Sequence, residues 1–145
     1  MNIKFLKLIH VLNRIFLKTN AHQSGGELIQ EIEDVFGSQM RKSDLVFFSA
    51  EEIAQSDEIE PVPAFIIMII SENDQVHHVY NKINEHFKGD TNSVGNKVVW
   101  LIFPENKSVH VYTSRRDVKI CIENDICSAA PVLPEFEIGV DVLLG

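Results

Sequence analysis

The sequence predicts an α/β fold of the α+β type, with one mixed sheet covered by helices on both faces. Two runs, Phe65–Ile70 and Val98–Phe103, are apolar at odd and even positions alike, which is typical of strands buried on both faces. After the first run, apolar residues recur every three to four positions from Val76 to Phe87, as on one face of a helix. Strands buried on both faces need a packed layer on each side, so we expect helices both above and below the sheet.

The composition is that of a globular domain with an acidic surface. Of the 145 residues, 45% are hydrophobic and 23% are charged, and the formal net charge is −8. This apolar fraction is enough for a core, and the length fits a single domain, which we expect to span residues 1–145. The acidic balance argues against broad, non-specific binding of nucleic acid, which requires clustered Lys and Arg. It leaves room for a local basic groove.

The first 18 residues have the pattern of a basic amphipathic helix. Its charged stripe contains Lys4, Lys7, Arg14 and Lys18, and its apolar side contains Phe5, Leu8, Ile9, Leu12, Ile15 and Phe16. Charges interrupt the helix too often for a membrane span and no small-residue cleavage site follows, so we expect a cytoplasmic protein. Such a helix lies on a membrane surface or packs on a core or a partner subunit. Because its apolar face is wider than one groove usually covers, we expect a homodimer, with the helix either in the dimer contact or closing the core.

The elements before the central strand are less uniform in their signals. The spacing of apolar residues in Glu27–Phe36 fits a helical face, whereas its shortness and flanking glycines also allow a strand. Arg41–Phe48 is predicted to be a strand that opens with charged residues and turns apolar, and Ala50–Ala54 a single helical turn. Pro61-Val62-Pro63 forces an extended approach to the central strand, Phe65–Ile70.

Strands dominate the second half of the chain. Lys97–Phe103 and Ser108–Thr113 are predicted to form a hairpin around a tight turn, because the second run alternates apolar and polar residues as a half-buried strand does. Val118–Ile122 is another short strand. The tail, Val132-Leu133-Pro134 and Phe136–Leu144, is expected to pack over a sheet edge.

Several residues of types common in functional sites have simpler structural interpretations. Cys121 and Cys127 follow no secretion signal and complete no zinc pattern, so we expect reduced, buried thiols. Trp100 lies in a strand buried on both faces and is expected in the core. His77-His78 would touch a phosphate or a metal, or simply be exposed, and Arg115-Arg116 would read DNA or simply be solvated.

Three residues form the candidate catalytic set: Asp44, Met68 and Lys82. Asp44 lies in the predicted strand Arg41–Phe48, Met68 lies in the middle of the central strand, and Lys82 lies on the helix that follows it. A metal-dependent phosphodiesterase holds Mg²⁺ with carboxylates on adjacent strands and uses a lysine to orient the attacking water and steady the phosphate charge. Asp44 and Lys82 suit those roles, although a solvated aspartate and a surface lysine would have the same spacing.

The runs that carry a family resemblance are PAFIIMIISEND, VYNKINEHF, VVWLIFPENKSVHVYTS and CSAAPVLPEF. In this order they resemble the Uma-two family of restriction endonuclease-like proteins, over about residues 41–145. The resemblance implies the PD-(D/E)XK nuclease fold, an endonuclease that acts on DNA, and Mg²⁺ or Mn²⁺ as cofactor. It also implies that Asp44 matches the metal-binding aspartate, that Met68 occupies the catalytic glutamate position, and that Lys82 matches the family lysine, displaced onto the helix.

Two departures from the family pattern weaken the implied site. Ala64 stands where the family has an aspartate, and Met68 replaces a carboxylate by a thioether that Mg²⁺ does not favour. Glu72 and Asp74 are alternative carboxylates, but both lie beyond the strand end. We therefore expect an endonuclease-like protein with a degenerate catalytic site. The alternative is a non-enzymatic interaction or dimerisation module that retains the nuclease scaffold.

Overall fold

The structure is a computed structural model that describes residues 3–30, 45–59, 61–71, 76–87 and 97–145. The helices in these ranges are α1 (Ile3–Leu17), α2 (Asn20–Gln23), α3 (Ala50–Ala54), α4 (Val76–Phe87) and α5 (Val140–Leu144). The strands are β1 (Glu27–Gln30), β2 (Leu45–Phe48), β3 (Phe65–Ile69), β4 (Val98–Phe103), β5 (Ser108–Tyr112), β6 (Val118–Ile122), β7 (Ile126–Ala129) and β8 (Leu133–Gly139).

The main sheet contains β1 to β6 in chain order, and β7 and β8 form a separate antiparallel pair. Within the main sheet β3 and β4 are parallel, with Phe65 opposite Val98 and Met68 opposite Leu101, while the other neighbouring strands are antiparallel. Every residue of β3 is buried. The prediction that these two apolar runs are neighbouring interior strands of a mixed sheet is therefore confirmed.

The segment before the central strand is described only in part. Glu27–Gln30 forms a strand, so the start of the ambiguous segment Glu27–Phe36 is extended rather than helical. The described part of the predicted strand Arg41–Phe48 is β2, and Asp44 lies outside the described residues. The predicted helical turn is α3, which Ser49 and Glu52 begin with a reciprocal capping box that satisfies two otherwise free N–H groups.

One face of the sheet is covered by α4. Val79, Ile83 and Phe87 are buried there in an apolar cluster with residues of β2 to β5, as the helical spacing predicts. The apolar face expected from that spacing also included Val76 and Tyr80, which are 63% and 46% exposed. These two residues are four positions apart and form one flank of the helix. The buried stripe of α4 is therefore narrower than the apolar face that the spacing predicts.

The opposite face is covered by α1, the β7–β8 pair and α5. One stripe of α1 is buried in this core and consists of Leu8, Leu12 and Phe16. This confirms that the amphipathic helix packs on the domain. The face is thus covered by helices and a small second sheet together. Among the described residues, no helix has the length and apolar content needed to cross a membrane.

The tail was expected to pack over a sheet edge. Its helix α5 contacts the edge strand β6, and its strand β8 packs under a sheet face. Phe136 of β8 is fully buried against Phe65 and Trp100, with ring centroids 5.4 Å and 5.3 Å away. The rings of Phe65 and Trp100 are themselves 5.4 Å apart in an edge-to-face arrangement. The second sheet takes this position because it buries a large aromatic ring that an edge strand would leave partly exposed.

Candidate functional site

Met68, one of the three predicted site residues, is completely buried. It is the fourth residue of β3, has no exposed surface and faces α4 in the apolar cluster. The other members of that cluster are Val46, Ile66, Val79, Ile83, Phe87, Val99, Leu101 and Tyr112. At the position that the family resemblance assigns to a catalytic carboxylate, the chain therefore has a thioether in an apolar environment.

Lys82 lies on the same side of the sheet, because α4 packs on the face that carries Met68. Its partly buried side chain lines a cavity of about 260 Å³ between α4 and the sheet. The lining residues are Val46, Val62, Pro63, Ile66, Lys82, Glu85 and His86. Ile66 precedes Met68 by two positions on the same strand face, which corresponds to about 6.6 Å along the strand.

Asp44 lies outside the described residues, so its convergence with Met68 and Lys82 stays a prediction. The residue that follows it, Leu45, is opposite Ile67, the residue before Met68. Glu72 and Asp74, the alternative carboxylates, also lie outside the described residues.

Glu85 and His86 were not predicted as site residues, yet both line the cavity with Lys82. The signal was present in the sequence, because residues three and four positions apart lie on one helix face. His86 is buried and its backbone carbonyl accepts a hydrogen bond from the Lys97 ammonium at 2.9 Å. The cavity therefore combines one ammonium, one carboxylate and one imidazole group at the C-terminal half of α4.

This donor set does not fit Mg²⁺. The ion prefers several hard oxygen ligands in an octahedron, whereas the described part of the cavity offers one carboxylate beside an ammonium group. Across the described ranges no three His, Cys, Asp or Glu side chains come together as a metal-binding group. Ala64, at the other departure from the family pattern, contributes no ligand either. No catalytic step through a metal ion follows from these residues.

The structure places the remaining candidate residues on the surface or in the core. His77 is exposed, and its ring centroid lies 4.1 Å from that of His78. Arg115 and Arg116 are exposed in the turn between β5 and β6. Trp100 is in the core, as predicted, and its indole N–H donates to the Ser128 carbonyl at 3.2 Å.

The two cysteines are free and buried, as predicted. Burial raises the pKa of the Cys127 thiol to about 12, with a further contribution from the neighbouring Cys121. Burial also raises the pKa of Cys121. Both thiols are therefore held protonated near neutral pH, which makes them poor nucleophiles and poor metal ligands.

Comparison with solved structures identifies the fold. The chain is similar to a protein described as "a putative nuclease belonging to DUF820 from Anabaena variabilis ATCC 29413", with a TM-score of 0.76. The match covers 97% of this chain and 80% of the other, at 18% sequence identity. This chain has a nuclease-like fold. No protein-family model matches the sequence, and no curated protein matches it.

Proposed function

We propose that this protein is an endonuclease-like member of the PD-(D/E)XK superfamily whose catalytic site is degenerate. Met68 carries the proposal. A nuclease of this class needs a carboxylate at this position to hold the ion that stabilises charge on the scissile phosphate. A thioether within an apolar cluster supplies no charge there and no oxygen ligand.

Two observations, the position of Lys82 and the fold, support nucleic acid as the ligand class. Lys82 lines a cavity together with residues of β2 and β3, and an ammonium group is suited to a phosphate. The nuclease-like fold is the second support. The net charge of −8 limits binding to a local contact with few phosphates, so the affinity for DNA should be weak and should fall only modestly with salt.

The test is a plasmid-nicking assay with Mg²⁺ and with Mn²⁺, combined with a DNA-binding measurement at low salt. Loss of several kcal/mol of charge stabilisation slows hydrolysis on the order of a thousand-fold, so we expect binding without appreciable nicking. Lys82→Ala should weaken the binding, whereas Lys107→Ala, which removes an exposed lysine at the β4–β5 turn, should not. Efficient nicking by the wild-type protein that Lys82→Ala abolishes would refute a degenerate site.

A non-enzymatic interaction module is the second candidate, and the surface of β6 favours it. This strand exposes apolar side chains on the sheet face that also carries α4. Absence of DNA binding at low salt, together with self-association through β6, would support this function over the first.

A further inference from the structure

Strand β6 has an apolar side that is about half exposed. Val118, Ile120 and Ile122 alternate along the strand and are 43%, 57% and 45% exposed. They are opposite Tyr112, His110 and Ser108 of β5, respectively. Tyr112 belongs to the cluster under α4, so the three side chains lie on the α4 side of the sheet.

The flank of α4 continues this apolar surface. Tyr80 is 46% exposed and lies next to Tyr112, whose pKa is raised by burial and by the neighbouring Tyr80. Tyr80, Val118, Ile120 and Ile122 together are called the β6 surface below. Exposed apolar residues grouped in this way mark an interaction site more often than residues scattered singly do.

The backbone of β6 is directed outward at the same place. Along a strand of an antiparallel sheet, the backbone N–H and C=O groups of successive residues are directed alternately to the strand on one side and to the strand on the other. The Thr113 N–H donates to the Asp117 carbonyl at 3.0 Å, so Asp117, and by alternation Lys119 and Cys121, direct their backbone groups to β5. Val118 and Ile120 then direct theirs to the outer edge, where the described part of the chain places no further strand.

The turn after β6 uses the outward groups of Ile122. Its N–H donates to the Asp125 carboxylate at 3.0 Å, and its carbonyl accepts from the Asp125 N–H at 2.9 Å. The open part of the edge is therefore centred on Ile120. An extended strand is the partner that satisfies both an outward-facing backbone and an alternating apolar side.

The charges at the two ends of β6 are opposite. Arg115, Arg116 and Asp117 precede the strand, so this end carries two basic groups and one acidic group, and Glu123 and Asp125 follow it. An antiparallel copy centred on Ile120 places Arg115 opposite the partner's Asp125, twice by symmetry, although Asp117 then lies opposite the partner's Glu123. A parallel copy would place like charges together.

We propose that β6 pairs antiparallel with β6 of a second copy of this chain, about a two-fold axis at Ile120. Ile120 exchanges two backbone hydrogen bonds with the partner's Ile120, and Val118 packs on the partner's Ile122. Lys119, on the other side of the sheet, lies opposite the partner's Cys121 rather than a second lysine. The two sheets join into one twelve-stranded sheet with both α4 helices on the same face.

The proposal differs from a dimer through α1, because the buried stripe of α1 closes the core of its own protomer. It does not depend on the proposed nuclease-like function, since self-association is measured without DNA. The contact is small, so we expect a dissociation constant in the micromolar range.

Sedimentation or light scattering over a concentration series tests the contact. Wild-type protein should shift from monomer to dimer, and Ile120→Lys should weaken the dimer by at least about tenfold, because it places two charges at the two-fold axis. Val142→Lys is the matched control, since Val142 is 69% exposed on α5 and lies outside β6. A wild-type protein that stays monomeric throughout, or equal weakening by the two variants, would overturn the proposal.

A charge exchange tests the antiparallel direction. Arg115→Glu/Arg116→Glu places acidic against acidic ends, and Asp125→Lys places a lysine opposite the partner's Arg115, so each variant alone should dimerise more weakly than wild type. Mixing the two variants restores opposite charges at both contacts and should give a heterodimer. A mixture that associates no better than its components would exclude this arrangement.

Cross-linking locates the axis. Opposite residues of a hydrogen-bonded antiparallel pair have Cα atoms about 5.5 Å apart, which suits a disulfide. Ile120→Cys should therefore form a covalent dimer under mild oxidation, while Ile53→Cys on α3, which is also exposed, should not. Wild-type protein is the second control because Cys121 and Cys127 are buried. If the Ile120→Lys variant melts at a lower temperature than wild type while both proteins are monomeric, the β6 surface is covered within one chain, and the proposal fails.

Discussion

Met68 is the residue on which the proposed loss of nuclease activity depends. The side chain has no exposed surface and lies in the cluster between β3 and α4. In this environment an apolar group stabilises the fold, whereas a carboxylate would have to be neutralised or paired with a cation. If position 68 is the catalytic position that the family resemblance implies, stability and catalysis require different residues there.

Met68→Glu should consequently lower the melting temperature in the absence of metal. If position 68 is the ligand position that the family resemblance implies, Mn²⁺ should bind the variant and restore part of the loss, because a ligand that binds only the folded state raises its stability. The measurement is a thermal melt of both proteins with and without Mn²⁺, with Met68→Leu as the volume-matched control. An equal Mn²⁺-dependent shift in wild-type protein would show that residue 68 is not the ligand position.

Because of Cys127, the free energy of unfolding should depend on pH in the alkaline range. Burial raises its pKa to about 12 from the ordinary value of 9.0, so the folded state holds the thiol proton more tightly than the unfolded state does. As pH rises above 9.0 the unfolded state loses its proton first, and the free energy of unfolding decreases up to the folded pKa.

Urea unfolding of wild type and Cys127→Ala at pH 8 and pH 10 isolates this contribution. Wild type should lose more stability between the two pH values than the variant does, since Cys121 and Tyr112 are common to both proteins. Equal losses would mean that the Cys127 thiol titrates normally in the folded state.

At the scale of a single element, α1 illustrates how one helix divides its apolar residues between core and solvent. Leu12 has no exposed surface, whereas Leu6 on the same helix is 53% exposed. The wide apolar face in the sequence thus contains one buried stripe, which Leu8, Leu12 and Phe16 occupy.

Leu12→Ala should destabilise the protein by about 2–5 kcal/mol, the range for removing a buried leucine side chain. Leu6→Ala makes the same chemical change at an exposed position and should cost less than about 0.5 kcal/mol. Chemical denaturation of both variants is the measurement. Similar losses in the two would mean that α1 contributes through helix propensity rather than through packing.

At the scale of the whole molecule, one aromatic group joins the two sheets. Phe65 and Trp100 belong to the centre of the main sheet, and Phe136 reaches them from β8. The same core cluster includes residues of α1 and α5. We therefore expect the described elements to unfold together, as the prediction of a single domain requires.

Phe136→Ala should destabilise the protein by about 3–5 kcal/mol and leave one transition. Trp100 is the only tryptophan in the chain, so its fluorescence reports the core while circular dichroism reports the helices and strands. The two curves should coincide in wild type and in the variant. Separate transitions would show that the β7–β8 pair unfolds independently of the main sheet.

Most of the strands could be predicted from the sequence, because burial leaves a local record in the side chains. The continuous apolar runs of β3 and β4 and the alternation of β5 were sufficient, and Val118–Ile122 forms β6 with the predicted bounds. Each of these features depends on residues that are neighbours in sequence. That Met68 occupies a catalytic position stays a prediction.

Only the tertiary structure decided which apolar residues are covered and what lies beside the site. Spacing assigned Val76 and Tyr80 to the same helical face as Val79, but α4 packs on residues of β2 to β5 and leaves one flank exposed. The tail reached the sheet face through Phe136, a contact between residues distant in sequence. The cavity that joins Lys82 to Val46 and Ile66 arises in the same way. A local pattern records that a residue is apolar, whereas its partner depends on how whole elements pack, and this is why the sequence determined the strands and the tertiary structure decided the surfaces.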